Sequence, residues 1–199
     1  MTTVTPELLV TDATAWRRWL AREGQRSEGV WLVLAKKGVQ VPTSLTYDQA
    51  LEEALCEGWI DGQKGSRDTI TFRQRFTPRR ARSPWSRRNV QIVERLSAAG
   101  RMRPAGLASV EQARADGRWD AAYAGQASME VPEDLVAALR DNPRARAMFD
   151  ILTSVNRYSI CLRITTAKRP DTRARRVAAF VDGLSRGETP HPQKRTLPD

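Results

Sequence analysis

Hydrophobic positions in the first sixty residues switch between helical and strand spacing. Residues 11–23, TDATAWRRWLARE, carry tryptophans at helical spacing behind a Thr or Asp that can cap a helix. Residues 29–37, GVWLVLAKK, are short and apolar on both faces, which predicts a buried strand that ends in two lysines. Residues 46–58 begin with a capping-box pattern and end at a glycine, which predicts a second helix.

The segment 69–76, TITFRQRF, changes to strict alternation, which is typical of a half-buried strand. Phe72 and Phe76 are predicted to face one side of this strand, and Arg73 and Arg75 the other. A short strand and turn, WIDGQKG, precede it. The pattern therefore brings two arginines to one face of a small sheet.

Helical patterns dominate the rest of the chain. Helices are predicted over residues 83–100, 103–117, 133–140, 142–152, 156–168 and 171–187. The first of them is predicted to begin at Ser83, because Ser followed by Pro is a common helix start. Residues 120–132 are small and irregular and read as a linker.

These elements predict an α+β fold, in which a small sheet covered by helices is followed by an all-helical C-terminal bundle. We expect an α+β domain with an arginine-rich strand, turn and helix over residues 1–120. A helical domain is expected over residues 130–188, and a flexible tail over residues 189–199.

Composition narrows the class of protein. The chain has 199 residues, 40% of them hydrophobic, and six tryptophans, which argues against disorder. No apolar run approaches the roughly 18 to 20 residues that span a bilayer, and the N-terminus lacks a signal-peptide pattern, so we expect a cytoplasmic protein. Cys56 and Cys161 lie in apolar runs typical of buried thiols. With His191 as the sole histidine, a zinc site or Ser-His-Asp triad is not expected.

Charge is the most informative property, because the net charge of +10 is unevenly distributed. Residues 67–103 contain eleven arginines and only two acids. A second basic cluster occupies residues 157–186, where an amphipathic helix can pack on its neighbours or bind DNA, RNA or anionic lipid. Concentrated positive charge suggests an anionic ligand, a nucleic acid or an anionic surface.

The stretch RFTPRRARSPWS, residues 75–86, together with the strand before it, is the main candidate site. Forked guanidiniums can hold a carboxylate or phosphate at about twice the strength of a neutral hydrogen bond, beside the positive end of a helix. Trp85 can stack a planar ligand or an arginine. The predicted ligand-binding residues are Arg73, Arg75, Arg79, Arg80, Trp85, Ser86 and Trp59. The alternatives are a solvated face, or arginines neutralised by Glu52, Glu53 or Glu57.

Asp61 is the candidate catalytic residue. It stands between the apolar Ile60 and the flexible Gly62, where a carboxylate can be desolvated and serve as an acid or base. The alternative is that Asp61 caps a turn or pairs with an arginine. The neighbouring Trp59 is predicted to contact the ligand, and the alternative is that its side chain belongs to the core.

Five blocks of the sequence resemble a known family. They are SLTYDQALEEALCEGWIDG (44–62), RFTPRRARSPWSRRN (75–89), ERLSAAGRMRPAG (94–106), DGRWD (116–120) and NRYSICLRITTAKRPDTRARRVAAFVDGLSRGETPHP (156–192). Together they resemble the YdeI/OmpD-associated family, also called bacteriocin-protection proteins. The resemblance implies a cytoplasmic bacterial protein linked to tolerance of antimicrobial peptides or envelope stress, and it supplies no catalytic residues. Glu57 departs from the family, where an apolar or aromatic residue is expected.

Three functional hypotheses follow. The first is a ligand-binding or enzymatic domain for a small anion. The second is a nucleic-acid or regulatory binder, although no Gly-rich phosphate loop, zinc finger or RNP-type motif supports it. The third is a non-catalytic resistance protein that acts through a partner. The residues indicate no particular cofactor or oligomeric state.

Overall fold

The computed structural model describes residues 5–125 and 129–197. The chain divides into two units, residues 1–122 and residues 123–199. Within the described residues, the first unit contains a four-stranded sheet and four helices, and the second contains four more helices. The predicted α+β class, with helices alone in the C-terminal part, is confirmed.

The strands lie in the spatial order β1-β2-β4-β3. They are β1 (Glu7–Leu8), β2 (Val30–Ala35), β3 (Trp59–Ser66) and β4 (Thr71–Pro78). The β1–β2 pair is parallel, whereas β4 is antiparallel to both of its neighbours. Strands β2, β3 and β4 form where the hydrophobic pattern predicts strands. The two-residue β1 is too short to leave such a pattern.

The first two helices of the chain begin at residues whose side chains cap the helix. The helices of the first unit are α1 (Ala13–Glu23), α2 (Tyr47–Cys56), α3 (Arg87–Ala98) and α4 (Pro104–Ala115). Asp12 accepts a hydrogen bond from the Ala15 amide at 2.8 Å, and Thr46 forms the predicted capping box with Gln49. The capping box is confirmed, and of the two residues predicted to cap α1, Thr11 and Asp12, the structure shows Asp12.

The predicted start of α3 at Ser83 is wrong. The helix begins at Arg87, and Ser86 is its cap, with Oγ accepting from the Asn89 amide at 3.2 Å. Trp85 explains the difference, because its side chain is only 2% exposed and its ring lies 4.9 Å from that of Trp119. The backbone turns to place this tryptophan in the core before the helix begins.

The core of the first unit lies between the helices and one face of the sheet. Alternate residues of β2 and β4 enter it, and Phe76 is fully buried there. Trp16 contacts that ring at 5.8 Å between ring centroids and also contacts Trp19 and Trp59. The side chains between these positions lie on the opposite face of the sheet, which we call the outer face.

The second unit is built around its own apolar cluster, which includes Leu135, Met148 and Ile160. Its helices are α5 (Glu133–Arg140), α6 (Pro143–Asp150), α7 (Ser154–Thr165) and α8 (Pro170–Ser185). The chain after α8 returns to α7, where Asn156 accepts from the His191 amide at 2.8 Å. His191 and Gln193 of the expected flexible tail thus contact Asn156 of the bundle.

Parts of two sequence-based predictions fall outside the described residues. Residues 126–128 belong to the expected linker, and residues 198–199 end the expected tail.

Candidate functional site

The outer face of the sheet carries the two arginines of β4. Arg75 lies opposite Trp31 of β2, and Arg73 lies opposite Val33. The alternation predicted from the sequence is therefore confirmed, because Phe72 and Phe76 pack towards the core instead. Trp31, which was not predicted as a site residue, joins the arginines through the strand register.

Gly65 on the edge strand leaves space for the side chains of Trp31 and Arg73 on this face. The Arg73 guanidinium carbon is 5.0 Å from the Trp31 ring centroid. A Cβ added at Gly65 of β3 would lie 2.9 Å from Arg73 Nε and 3.5 Å from Trp31 Cζ3. Both side chains therefore occupy the space that the missing side chain of Gly65 leaves.

Donor groups on the outer face lack acceptors. Within the described residues, the Nε atoms of Arg73 and Arg75 are buried and have no hydrogen-bond partner. Arg73 has one long contact to a carboxylate, 3.9 Å to Glu7 Oε2, and Arg75 makes no ion pair in the same part of the chain. An unsatisfied buried donor costs about 1–3 kcal/mol, and each of these Nε atoms carries that cost while it has no acceptor.

The carboxylates of α2 do not neutralise these arginines. Glu52 pairs with Arg95 and Arg101, each at 2.8 Å. Glu53 accepts two hydrogen bonds from Arg17, at 2.7 and 2.6 Å, and one from Arg101 at 2.6 Å. The predicted alternative of neutralisation by Glu52 or Glu53 thus applies to three other arginines.

Arg79, in the loop after β4, contacts other residues of the same loop. The Arg79 guanidinium carbon lies 3.8 Å from the Trp85 ring centroid, and its Nη1 donates to the Pro84 carbonyl at 3.0 Å. Of the two predicted roles of Trp85, the structure shows arginine stacking. Arg80 is exposed, and Ser86 caps α3.

Asp61 and Trp59 lie on the core side of the sheet, away from the face that carries Arg73 and Arg75. Asp61 pairs with Phe76 in the register of β3 and β4, where the strands become irregular. It accepts a hydrogen bond from Tyr47 Oη at 2.8 Å, and burial together with this carboxylate raises the pKa of Tyr47. Trp59 is 3% exposed within the aromatic cluster.

A basic cleft at the ends of β2, β3 and β4 was missed by the sequence analysis. Its volume is about 610 Å³, and its lining includes Lys36, Lys37, Lys64, Ser66, Arg67 and Phe72. Gly65 also lines this cleft, but the register pairs Lys64 with Gln74 and Gly65 with Arg73, so the side chain of Lys64 lies on the core side of the sheet and not on the outer face. The two lysines after β2 are apparent in the sequence. The β3–β4 hairpin completes the cleft, and its Lys64 lies 28 positions after Lys36, so no local pattern connects these residues.

Asp68 is the one acid among the described residues that line this basic cleft, and its carboxylate accepts several hydrogen bonds. Its carboxylate accepts from the Thr71 hydroxyl at 2.7 Å, the Thr71 amide at 2.6 Å, the Ile70 amide at 2.9 Å and Arg67 at 2.6 Å. The Thr71 hydrogen bonds are the main reason that the pKa of Asp68 falls to about 2. Lys36 donates to the carbonyls of Asp68 and Thr69 at 2.7 and 3.1 Å.

Two ammonium groups of the basic cleft are not matched by acids. In the part of the chain that the structure describes, Lys37 and Lys64 make no ion pair. Lys64 Nζ lies 4.6 Å above the ring of Phe72, which holds it at the cleft wall. The basic cleft therefore has excess positive charge.

Part of the second basic cluster, in the C-terminal unit, contacts its own neighbours. Arg173 forms two hydrogen bonds to Asp134, at 2.6 and 2.8 Å, which connect α8 to α5. Arg176 donates to the Arg163 carbonyl. These contacts favour the structural interpretation of this cluster.

Metal centres, membrane-spanning helices and reactive thiols are three other classes of site. Within residues 5–125 and 129–197, no group of three His, Cys, Asp or Glu side chains is placed to hold a metal ion. None of the helices in these ranges is long and apolar enough to span a membrane. Burial raises the pKa of the Cys56 thiol to about 11 and also raises that of Cys161, so both remain protonated at neutral pH.

Comparison with known proteins gave two family matches. Residues 8–109 match the family described as Domain of unknown function (DUF8412). Residues 128–187 match the family described as Bacteriocin-protection, YdeI or OmpD-Associated. The curated proteins and the solved structures gave no match.

The sequence blocks that resemble the YdeI/OmpD-associated family are distributed over the two matches. The YdeI/OmpD-associated resemblance is confirmed for residues 128–187, which include most of the last block. The blocks at 44–62, 75–89 and 94–106 lie within the other match. Because that match spans just over half of its length, the chain belongs to the DUF8412 family, and its C-terminal part carries a YdeI/OmpD-associated match.

Proposed function

We propose that the first unit binds a small anionic ligand on the outer face of its sheet, through Arg73 and Arg75. The observation that carries this proposal is the pair of buried Nε donors that lack acceptors within the described residues. Guanidinium groups bind carboxylate and phosphate oxygens through two parallel hydrogen bonds, which are stronger than neutral ones. Their position on neighbouring outward positions of one strand lets both reach a single anion.

Other predicted site residues have supporting functions in this proposal. Arg79 and the exposed Arg80 add positive potential beside the same strand end. Trp85 and Ser86 hold the loop and the start of α3 in place. The pair formed by Asp61 and Tyr47 is proposed as a separate proton-transfer group, on which anion binding does not depend.

Calorimetric titration and thermal-shift assays with phosphate, pyrophosphate and small dicarboxylates test this function. The protein is expected to bind at least one of these anions, and Arg75→Ala is expected to weaken that binding by about tenfold or more, because a charge-assisted bidentate contact is lost. Arg26→Ala, which removes an exposed arginine from the turn after α1, is the matched control and should bind normally. The proposal fails if no anion stabilises the protein beyond sodium chloride of equal ionic strength.

We further propose that ligand binding contributes to tolerance of antimicrobial peptides, on the support of the bacteriocin-protection match over residues 128–187. Direct capture of cationic peptides is disfavoured, since the chain carries a net charge of +10 and like charges repel. The effect is therefore expected to act through the ligand. A strain that expresses the Arg73→Ala, Arg75→Ala variant at normal levels should lose protection, and unchanged protection would separate tolerance from this site.

A further inference from the structure

We infer that the basic cleft is a second anion site, which binds a polyphosphate chain, free or carried by a larger molecule, through Lys36, Lys37 and Lys64. This site is separate from the arginines of the proposed function. Lys64 lies on the core side of the sheet, whereas Arg73 and Arg75 lie on the outer face. Binding in the basic cleft therefore does not depend on the outer face.

The lysines of this chain are concentrated in the basic cleft. The sequence has 33 basic residues, of which only five are lysines, and three of the five line this cleft. An ammonium group is a compact point charge with three donors, whereas the fork of a guanidinium matches a carboxylate through two parallel bonds. The basic cleft thus differs from the arginine-rich remainder of the chain, and its ammonium groups suit the dense charge of phosphate oxygens.

The ammonium groups keep donors available for a ligand. In the part of the chain that the structure describes, Lys37 and Lys64 make no hydrogen bond or ion pair. Lys36 gives two of its three donors to backbone carbonyls of the β3–β4 turn, at 2.7 and 3.1 Å, which leaves the third. The contact of Lys64 with the Phe72 ring, at 4.6 Å, holds that side chain at the cleft wall. Side chains that are already held in place lose less entropy when a ligand binds.

The charge and size of the basic cleft indicate an anion with several charges. Its lining has three lysines and Arg67 against one carboxylate, on Asp68. Because that carboxylate pairs with Arg67 at 2.6 Å, the three ammonium charges have no acid of the lining to neutralise them. Concentrated positive charge in a cleft attracts anions, and a volume of about 610 Å³ lies within the range of small-molecule sites. A chain of phosphate groups meets both conditions better than a single carboxylate does.

Amine acetylation of the unaltered full chain, followed by mass spectrometry of its peptides, tests this site without any substitution. Tripolyphosphate is expected to slow acetylation of Lys37 and Lys64 by about fivefold or more, because a bound anion keeps each amine in its unreactive charged form. Lys168, an exposed lysine of the C-terminal unit, is the reference in the same sample and should react at its normal rate. Equal slowing of all three lysines, or no slowing beyond that in sodium chloride of equal ionic strength, overturns the inference.

Calorimetric titration with tripolyphosphate then separates this site from the outer face. In the variant that lacks both outer-face arginines, tripolyphosphate is expected to bind still. Adding Lys37→Ala and Lys64→Ala should weaken that binding by about tenfold or more, because two charge-assisted contacts are lost. Adding Arg18→Ala and Arg26→Ala instead removes the same charge from exposed positions near α1, and this matched control should bind normally.

The outcomes distinguish the two proposals. Loss of all tripolyphosphate binding with the outer-face arginines overturns this inference and leaves the proposed function standing, and so does binding that the lysine substitutions do not weaken. Binding that depends on the lysines alone supports this inference and counts against the proposed function. Citrate that binds as tightly as tripolyphosphate overturns the phosphate class. ATP within about threefold of tripolyphosphate indicates a free chain, whereas ATP that binds about tenfold tighter indicates that a nucleotide carries it.

Discussion

Glu53 illustrates how single residues set the arrangement of charge in the first unit. Its side chain is 5% exposed, yet it accepts hydrogen bonds from Arg17 and Arg101. A buried carboxylate is stable only when its charge is paired and its oxygens are hydrogen-bonded. The hydrogen bonds to Glu53 connect α1 and the chain after α3 to α2. Because Glu53 is paired with Arg17 and Arg101, it does not neutralise the arginines of β4.

Replacing Glu53 by glutamine is expected to destabilise the protein by about 2 kcal/mol, because two guanidiniums then face a neutral side chain. Removing one partner of a fully buried pair costs about 3–5 kcal/mol, and the partial exposure of both arginines reduces that figure. Chemical denaturation of the two proteins measures the difference. Glu111→Gln makes the same change on an exposed face of α4 and should alter stability by less than about 0.5 kcal/mol. Equal stabilities of the two variants would contradict the prediction.

Gly65 allows a prediction about binding. In Gly65→Ala, the new Cβ would lie 2.9 Å from Nε and 3.1 Å from Cγ of Arg73. Because a flexible side chain gives way, the cost in stability should stay near 1 kcal/mol, while displacement of Arg73 weakens anion binding several-fold. Gly62→Ala is the control, since its Cβ would meet Arg75 at an ordinary 3.7 Å. Pyrophosphate titration of both variants checks this, and equal affinities would refute the role of Gly65.

Residue-scale features were predictable where their cause is local. The caps at Asp12 and Thr46 depend on neighbours within three positions, so the sequence pattern was sufficient. Trp85 shows the opposite case, because its burial depends on Trp119, which lies far along the chain. Trp31 became a candidate site residue only through its register with Arg75.

At the scale of elements, the sequence predicted which strands and helices form, but not their neighbours. Alternation in TITFRQRF placed Arg73 and Arg75 on one face correctly. The position of β4 between β2 and β3 depends on long-range pairing, which no local pattern encodes. The basic cleft follows from that order, because it forms where the ends of these three strands meet. This is why Lys37 and Lys64 were missed as a pair.

The contact between α5 and α8 yields a prediction about pH. Arg173 donates two hydrogen bonds to Asp134 and thereby lowers the pKa of that carboxyl below its ordinary value of about 3.9. The stabilisation from this pair is therefore complete above that value and is lost as the pH falls through the lowered value in the folded state. Asp134→Asn should lower the melting temperature at pH 6, and the difference from the unaltered chain should shrink towards pH 2.

Circular dichroism melts of the two proteins between pH 6 and pH 2 measure this convergence. Asp141→Asn changes an exposed carboxylate that makes only a 3.9 Å contact with Arg140, so it should show a much smaller difference at every pH. A difference between Asp134→Asn and the unaltered chain that stays constant over this range would contradict the assignment.

At the scale of the whole molecule, the chain contains two hydrophobic clusters with no residue in common. The first includes Trp16, Phe76 and Trp119, and the second includes Leu135 and Met148. The sequence indicated a division by composition, since residues 120–132 lack a regular apolar pattern. The family matches also fall on either side of residue 120. Each unit therefore has the core that a domain needs.

We predict that each unit folds when it is expressed alone, as residues 1–122 and as residues 123–199. A domain is independently stable when its apolar side chains are buried by its own elements, and the two separate clusters meet this condition. The matched control is residues 1–103, which lack Val110, Ala113 and Trp119 and so lose one side of the first cluster. Circular dichroism and amide NMR spectra should show cooperative unfolding and dispersed signals for the two complete units and not for the control. An unfolded 1–122 or 123–199 fragment would contradict this prediction. Anion titration of the folded 1–122 fragment tests whether binding lies in the first unit.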